Sequence, residues 1–411
     1  MRQKESGERH AMKVLQVNCV YRKGSTGKIV YDLHSQLPAE KITSVVCYGR
    51  GEKVRESGVY KTCPEALAKW NNLLSRFTGM MYDGCYISTW KLISRIKKEK
   101  PDIVHLQCIN GYFVNIYRLI SWLKKHHIRT VLTLHAEFMH TGNCGYALDC
   151  NKWESGCGGC PRVRTEMKSL LFDRTHHAWE KMRRAFNGFS ELKVVSVSPW
   201  LMKRAERSPI LMAHTHATIL NGIDVNIFRP SDPQQLRQKY GLEGKRIVFH
   251  VTAAFSTATG HIKGGRFVLE LAERMKNENV VFLVAAGNCD SGVTFPDNVI
   301  FLGNISDQKL LAQYYSLADV TLLTSKRETF SMPVAESLCC GTPVVGFEAG
   351  APEQIALPQY SRFVSYGDTA ALKAAVEEAF SMKKSEISAA AAKKYAKDVA
   401  AKKYMELYYS W

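Results

Sequence analysis

The sequence predicts an α/β protein made of two successive parallel sheets, each doubly wound by helices. Short apolar runs alternate with longer helical patterns along the whole chain, as in a sheet whose parallel strands are joined by crossover helices. The alternation breaks at a turn-rich stretch near the middle and then begins again. A chain of 411 residues is also long enough for two domains, each with its own core. Its apolar share of 45% and charged share of 23% are those of a globular protein. No apolar run approaches the roughly 18 residues needed to span a bilayer, and no charged-then-apolar leader opens the chain, so a cytoplasmic location is expected.

Residues 1–11 are polar and read as a tail, with a start at Met12 as the other reading. The first strand is expected at 13–19, followed by Gly24-Ser-Thr-Gly27 and a helix carried by Ile29, Val30, Leu33 and Leu37. A glycine turn between a first strand and a helix lets backbone approach a ligand closely, which makes Gly24 a candidate contact. The three-glycine spacing of a dinucleotide fingerprint is absent. Further strands are expected at 41–47, 102–106, 130–134, 194–197 and 217–220, with helical patterns at 89–98 and 112–125 among them. Residues 221–224 and 228–230 read as the linker. Strands resume at 246–251, 280–285, 298–302, 320–324 and 343–347, and the Ala- and Lys-rich stretch 385–411 reads as a closing helix. The expected division is a tail at 1–11, domains at 12–228 and 229–388, and a last helix at 389–411.

Charge is unevenly placed. Of the net +18, residues 1–228 hold +16, from 35 basic and 19 acidic side chains, whereas the remainder holds +2. Such a half should be drawn to anionic lipid, nucleic acid or phosphorylated substrates. The patterns at 89–98 and 112–125 set Trp90, Tyr112, Phe113 and Trp122 among Lys and Arg, the composition of a membrane-surface helix and equally of an ordinary packing helix.

The densest chemistry lies at 328–336, Glu-Thr-Phe-Ser-Met-Pro-Val-Ala-Glu. The apolar run 320–325 before it and the helical pattern after it make this stretch a strand-to-helix turn, where unpaired N–H groups and the helix dipole favour an anion such as phosphate. Pro333 suits the first helical turn. Two carboxylates beside an anion would repel it unless they faced neutral groups, so Glu328 and Glu336 are assigned to hydroxyls. A Glu complementing a helix dipole and a second Glu on a solvated face is the plainer alternative for two isolated residues. His135 ends the strand 130–134. Lys263 follows the first strand of the second half, with Arg266 nearby and Arg327 directly before Glu328.

The two Glu with seven residues between them, Phe330 inside, and Gly341, Pro343 and Gly350 beyond resemble the signature of the retaining GT-B glycosyltransferases that act on nucleotide sugars. The resemblance implies two Rossmann-like domains facing a cleft, with the closing helix returning to the first. It implies Glu328 on the donor sugar, Glu336 on ribose, Lys263 on the diphosphate, and Ser331, Met332 and backbone near Phe330 on sugar and phosphate. His135 would face the sugar from the other domain. Where such enzymes place Gly-Arg this chain has Ala253 and Ala254, leaving Arg327 or Arg266 to supply the second cation. Where they often place Asp after the histidine it has Ala136, so that role is lost or passes to Glu137. Asn304 falls in a loop similar to the base-binding loop. No Asp-x-Asp occurs, so catalysis without a metal is expected.

Cys144, Cys150, Cys157 and Cys160 lie close in sequence with Trp153 among them. Four thiolates can close a tetrahedral zinc site and the Cys157-Gly-Gly-Cys160 knuckle suits one; reduced buried thiols and redox behaviour are the other readings. Together with His135, Thr141, Gly142 and Pro161, the loop resembles a subgroup of cell-surface polysaccharide glycosyltransferases, similar to those of colanic acid and O-antigen assembly. The expected partners are therefore a nucleotide-sugar donor, a lipid-linked saccharide acceptor and the inner membrane surface, with no nucleic acid. A non-catalytic binder of an anionic polymer and a nucleotide-sugar epimerase of the same fold are the alternatives.

Overall fold

The computed structural model describes residues 12–411; the tail expected at 1–11 lies outside the described residues. The chain forms two compact units. The first runs to Val197 and adds Leu201–Ile219 and Ala401–Trp411; the second is Ser198–Trp200 with Leu220–Ala400. The sequence-based divisions at 228/229 and 388/389 therefore fall at different residues from the structural ones. Residues 220–228 are tied into the second unit by Ile223 N–H, which donates to the Tyr395 carbonyl at 2.7 Å, and by a 2.6 Å ion pair between Asp224 and Lys397.

The first sheet holds β1 (Lys13–Asn18), β2 (Thr43–Tyr48), β3 (Val59–Lys61), β4 (Ile103–Leu106), β5 (Thr130–Leu134), β6 (Leu192–Ser196) and β7 (Thr215–Thr218) in the order 3-2-1-4-5-6-7. Every pairing is parallel, with Lys13 opposite Thr43 and Val14 opposite Ile103. The central strands are buried on both faces, as their continuous apolar runs require.

The second sheet holds β8 (Arg246–Phe255), β9 (Val280–Cys289), β10 (Val299–Gly303), β11 (Val320–Leu323), β12 (Val344–Phe347) and β13 (Ser361–Val364) in the order 10-9-8-11-12-13, again all parallel. Val248, Phe282, Val284 and Leu322 form its core with Val268 and Leu271 of the helix Gly265–Arg274 and Leu372 and Val376 of the helix Thr369–Ala379.

Four expectations change. Strands β3 and β13 are additions; both are short and partly exposed, so neither leaves an apolar run in the sequence. The pattern at 112–125 becomes a helix only from Ile116 to Lys125, because Asn115 accepts the Arg118 N–H at 3.0 Å and caps it there. That helix and Tyr86–Glu99 turn many of their apolar side chains inward, Ile116, Leu119 and Leu92 among them. The closing segment is two helices, Ile387–Tyr395 and Lys397–Tyr409, broken where Ala396 bridges Ile223.

Candidate functional site

In the second unit the strand order reverses between β8 and β11, and loops leaving such a pair at the carboxyl end flank the crevice in which open α/β sheets take ligands. The loop after β8 carries Lys263 and the loop after β11 carries Glu328. Lys263 Nζ donates to Glu328 Oε1 at 2.6 Å. Two further bonds hold the loops together: Thr324 Oγ1 donates to the Lys263 carbonyl at 2.9 Å, and Lys326 N–H to the Ile262 carbonyl at 2.7 Å. Gly264 has φ +62°, and a Cβ there would stand 2.2 Å from the Thr324 carbonyl oxygen, so this approach requires glycine.

The main chain of Glu328 is fixed on both sides. Its N–H donates to the Ala349 carbonyl at 2.9 Å and its carbonyl accepts from Ala351 N–H at 3.3 Å. Glu353 orders the facing turn, its carboxylate accepting from Ala349 N–H at 3.1 Å and Gly350 N–H at 2.8 Å.

The helix Met332–Cys339 follows the Glu328 turn, with Ser331 before it at φ +77°. Its first turn carries proline and no acidic side chain. Ser331 Oγ is buried with no hydrogen-bond partner, which costs about 1–3 kcal/mol until a bound group satisfies it. A helix start with unpaired N–H groups, an unsatisfied hydroxyl and a nearby lysine suits an anion flanked by hydroxyls.

Phe330 is buried and Met332 half-buried beside this turn. Glu336, one turn inside the helix, accepts from Tyr315 Oη at 3.0 Å. Burial first, then the Glu336 carboxylate, push the Tyr315 hydroxyl well above its ordinary pKa, so it remains a donor. The Arg327 guanidinium lies 5.5 Å from the Trp200 ring of the same unit, and the exposed Arg266 guanidinium lies 4.4 Å from Phe267. Asn304 is exposed in the loop after β10.

In the first unit the strand order reverses between β1 and β4. There a polar chain runs from His135 Nε2 to Gln107 Oε1 at 3.2 Å, from Gln107 Nε2 to Gln16 Oε1 at 2.8 Å and from Gln16 Nε2 to Ser44 Oγ at 3.4 Å. Because the Gln107 oxygen accepts, His135 carries its proton on Nε2. Burial lowers its pKa to about 4, so the ring is neutral at pH 7. Gly24 opens the helix Gly24–Gln36 at φ +66° with open space where a Cβ would stand. The structure thus gathers Lys263, Glu328, Ser331 and Glu336 on one loop-and-helix assembly of the second unit, while Gly24 and His135 belong to the first.

Glu137 does not take over the role of a carboxylate after the histidine. It is buried, 2.5 Å from Arg204 Nε, and accepts the Ala147 N–H at 2.8 Å, so it roots the cysteine loop. Cys144, Cys150, Cys157 and Cys160 line one cavity floored by Trp153, whose Nε1 donates to the Cys150 carbonyl at 2.8 Å. Gly142 is required there, since a Cβ would stand 2.8 Å from Cys157 Sγ. Among the described residues, no three Cys, His, Asp or Glu side chains are already gathered as a metal site.

Sequence reasoning missed Gln16, Gln107, Glu353 and His250. The signal for the glutamines was a polar residue within or just after a buried strand. His250, on β8, is buried with Nδ1 3.0 Å from the Leu322 carbonyl and Nε2 without a partner, and burial lowers its pKa to about 4.

Residues 26–227 match the family model for Glycosyltransferase Family 4, and residues 233–399 match that for Glycosyl transferases group 1. The chain is built of glycosyltransferase domains. It is 22% identical over 357 residues to WcaC of Escherichia coli K12, a glycosyl transferase named for colanic acid biosynthesis, covering 84% of this chain and 85% of that one. A D-inositol 3-phosphate glycosyltransferase of Mycobacteroides abscessus is 25% identical over 238 residues, 53% of this chain and 51% of its own. Among solved structures, sucrose-phosphate synthase from Thermosynechococcus elongatus superposes with TM-score 0.66 at 16% identity, covering 97% of this chain and 98% of that one. HepE of Anabaena, solved with UDP-glucose, gives 0.64 at 16% identity, covering 97% and 100%. These likenesses show that the two glycosyltransferase domains have the GT-B fold.

Proposed function

We propose that the protein transfers a sugar from a nucleotide diphosphate donor to a lipid-linked saccharide during cell-surface polysaccharide or O-antigen assembly, working at the cytoplasmic face of the membrane. The observation that carries this reading is the Lys263–Glu328 pair beside a helix start that holds the unsatisfied Ser331 hydroxyl. The donor class draws support from the UDP-glucose complex of HepE, and the pathway from the likeness to WcaC.

In the proposed reaction the bond from sugar C1 to the diphosphate oxygen breaks, the diphosphate leaves with the electron pair, and the acceptor hydroxyl bonds to C1 from the same face. Its proton passes to the departing diphosphate, so configuration is retained. Lys263 offsets the growing diphosphate charge without a metal. Glu328 takes the sugar hydroxyls, and Glu336, oriented by Tyr315, takes ribose. Ser331, Met332 and backbone near Phe330 hold sugar and phosphate, with Arg327 as the second cation, Asn304 at the base and Gly24 near the donor. Neutral His135 is a second catalytic group. The four cysteines are proposed to hold one structural zinc ion, because a four-sulfur donor set around one cavity is what zinc takes.

The test is transfer of radiolabelled sugar from UDP-, GDP-, dTDP- and CMP-sugars to a lipid-linked acceptor fraction, in the presence of a chelator. Glu328→Ala should lower kcat/KM by about 100-fold or more, roughly 2.7 kcal/mol of transition-state stabilisation. Unchanged turnover would remove Glu328 from the site. Conversion of donor without acceptor would favour an epimerase, and salt-sensitive polymer binding without turnover a non-catalytic binder.

A further inference from the structure

The helix Glu65–Thr78 is inside out. Its buried positions are Ala68, Asn71 and Ser75, two of them polar, while Trp70, Leu73, Leu74 and Phe77 stand exposed at helical spacing, Trp70 by 61%. Large apolar side chains normally take the inward face of a surface helix. Here the first unit offers them outward.

Two neighbouring segments extend the surface. Helix Tyr86–Glu99 exposes Tyr86, Ile87 and Trp90, the last by 64%, and its first turn is joined to the inside-out helix where Cys85 N–H donates to Asn71 Oδ1 at 3.1 Å. The loop at 170–172 exposes Leu170, Leu171 and Phe172 and is fixed to the same helix where Leu170 N–H donates to the Arg76 carbonyl at 2.8 Å. Large apolar side chains exposed on three adjoining segments mark an interaction site.

Its charge identifies the occupant. Between residues 66 and 98 the only acidic side chain is Asp83, which is paired with Lys181 at 2.6 Å. Lys69, Lys91, Lys168 and Arg174 are exposed within two residues of these apolar side chains in the sequence, and the one exposed acid beside the loop, Asp173, is engaged by the Cys160 N–H and the Thr175 hydroxyl. The guanidinium of Arg174 lies 5.2 Å from the Phe172 ring, and that of Arg118 5.8 Å from the Tyr86 ring. Exposed apolar and aromatic side chains with cations beside them match the acyl boundary and the phosphates of an anionic bilayer.

We propose that this surface docks the protein on an anionic lipid bilayer, with Trp70, Leu73, Phe77, Trp90 and Leu171 entering the headgroup boundary. The proposal gives the membrane partner of the preceding section a location, but it rests on this surface alone and does not require the transferase reading. The test therefore omits donor and acceptor, so the two readings fail separately.

The intact protein is sedimented with vesicles of phosphatidylglycerol and phosphatidylethanolamine, and with vesicles of phosphatidylcholine alone, while tryptophan emission is recorded. Binding is expected to the anionic vesicles, with a blue shift, at least 10-fold above the neutral ones. The double substitution Leu73→Glu and Phe77→Glu should lower that binding at least 10-fold with unchanged far-UV circular dichroism. Leu171→Glu, in the loop, is the second variant should the helix not tolerate charge. Protein left in the supernatant with anionic vesicles would overturn the proposal, as would variants that pellet like the parent. A dimer in sedimentation equilibrium that these substitutions dissolve, without vesicle binding, would assign the surface to a second copy instead.

Discussion

His105, His135 and His250 are held neutral by burial, and that sets a pH response. Burial, with His135 as a smaller cause, lowers the His105 pKa to about 3, while His135 and His250 are lowered to about 4. In the unfolded chain each takes up its proton near pH 6.5, an ordinary value for imidazole. Between about pH 6.5 and 4 the unfolded state therefore binds more protons, and stability falls as pH is lowered. Each ring contributes a slope of at most about 1.4 kcal/mol per pH unit. Urea unfolding at pH 7, 6 and 5 should show the midpoint falling steadily, and a flat profile would mean that the rings protonate in the folded state. At this scale the sequence was legible where spacing is covalent, as for Glu328 and Glu336. It was not legible where partners are distant in sequence, as for Gln16 and Gln107, 91 residues apart.

The cysteine loop is an element whose shape depends on its own turns, with Cys157, Gly158 and Gly159 all at positive φ. Burial pushes the Cys144 thiol up to about 12 and Cys157 up to about 11, so without a metal these groups are neutral and slow to oxidise. Zinc would displace those protons. The purified protein should contain about one zinc ion per chain by elemental analysis, and Cys157→Ser with Cys160→Ser should remove it and lower the melting temperature. Absence of zinc from the parent would assign the loop to reduced thiols. Buried parallel strands such as β5 and β12 were legible as apolar runs, but the edge strands β3 and β13 were not. The outward face of the helix Glu65–Thr78 was also hidden, because an apolar stripe at helical spacing reads the same whether it faces core or solvent.

Across the whole molecule, the first unit is completed by the last residues of the chain, Ala401–Trp411. Tyr408 Oη bonds His105 Nδ1 at 2.7 Å, Tyr404 Oη bonds Thr133 Oγ1 at 3.0 Å, and Thr133 Oγ1 in turn bonds His105 Nε2 at 2.7 Å. These groups are buried, so the network links β4 and β5 to a helix some 300 residues later, which slows assembly through loop closure but leaves the folded unit well connected. Tyr408→Phe keeps the ring and strands His105 Nδ1 without its partner, at a cost of about 1–3 kcal/mol. Tyr408→Ala adds a cavity and should cost about 3–5 kcal/mol. Hydrogen exchange distinguishes a local effect from a general one: amides of β4 and β5 should exchange faster in both variants, while those of β8 to β12 keep their parental rates. Equal acceleration in both sheets would mean that the helix stabilises the chain as a whole rather than the first unit, and no acceleration would mean that His105 finds another partner.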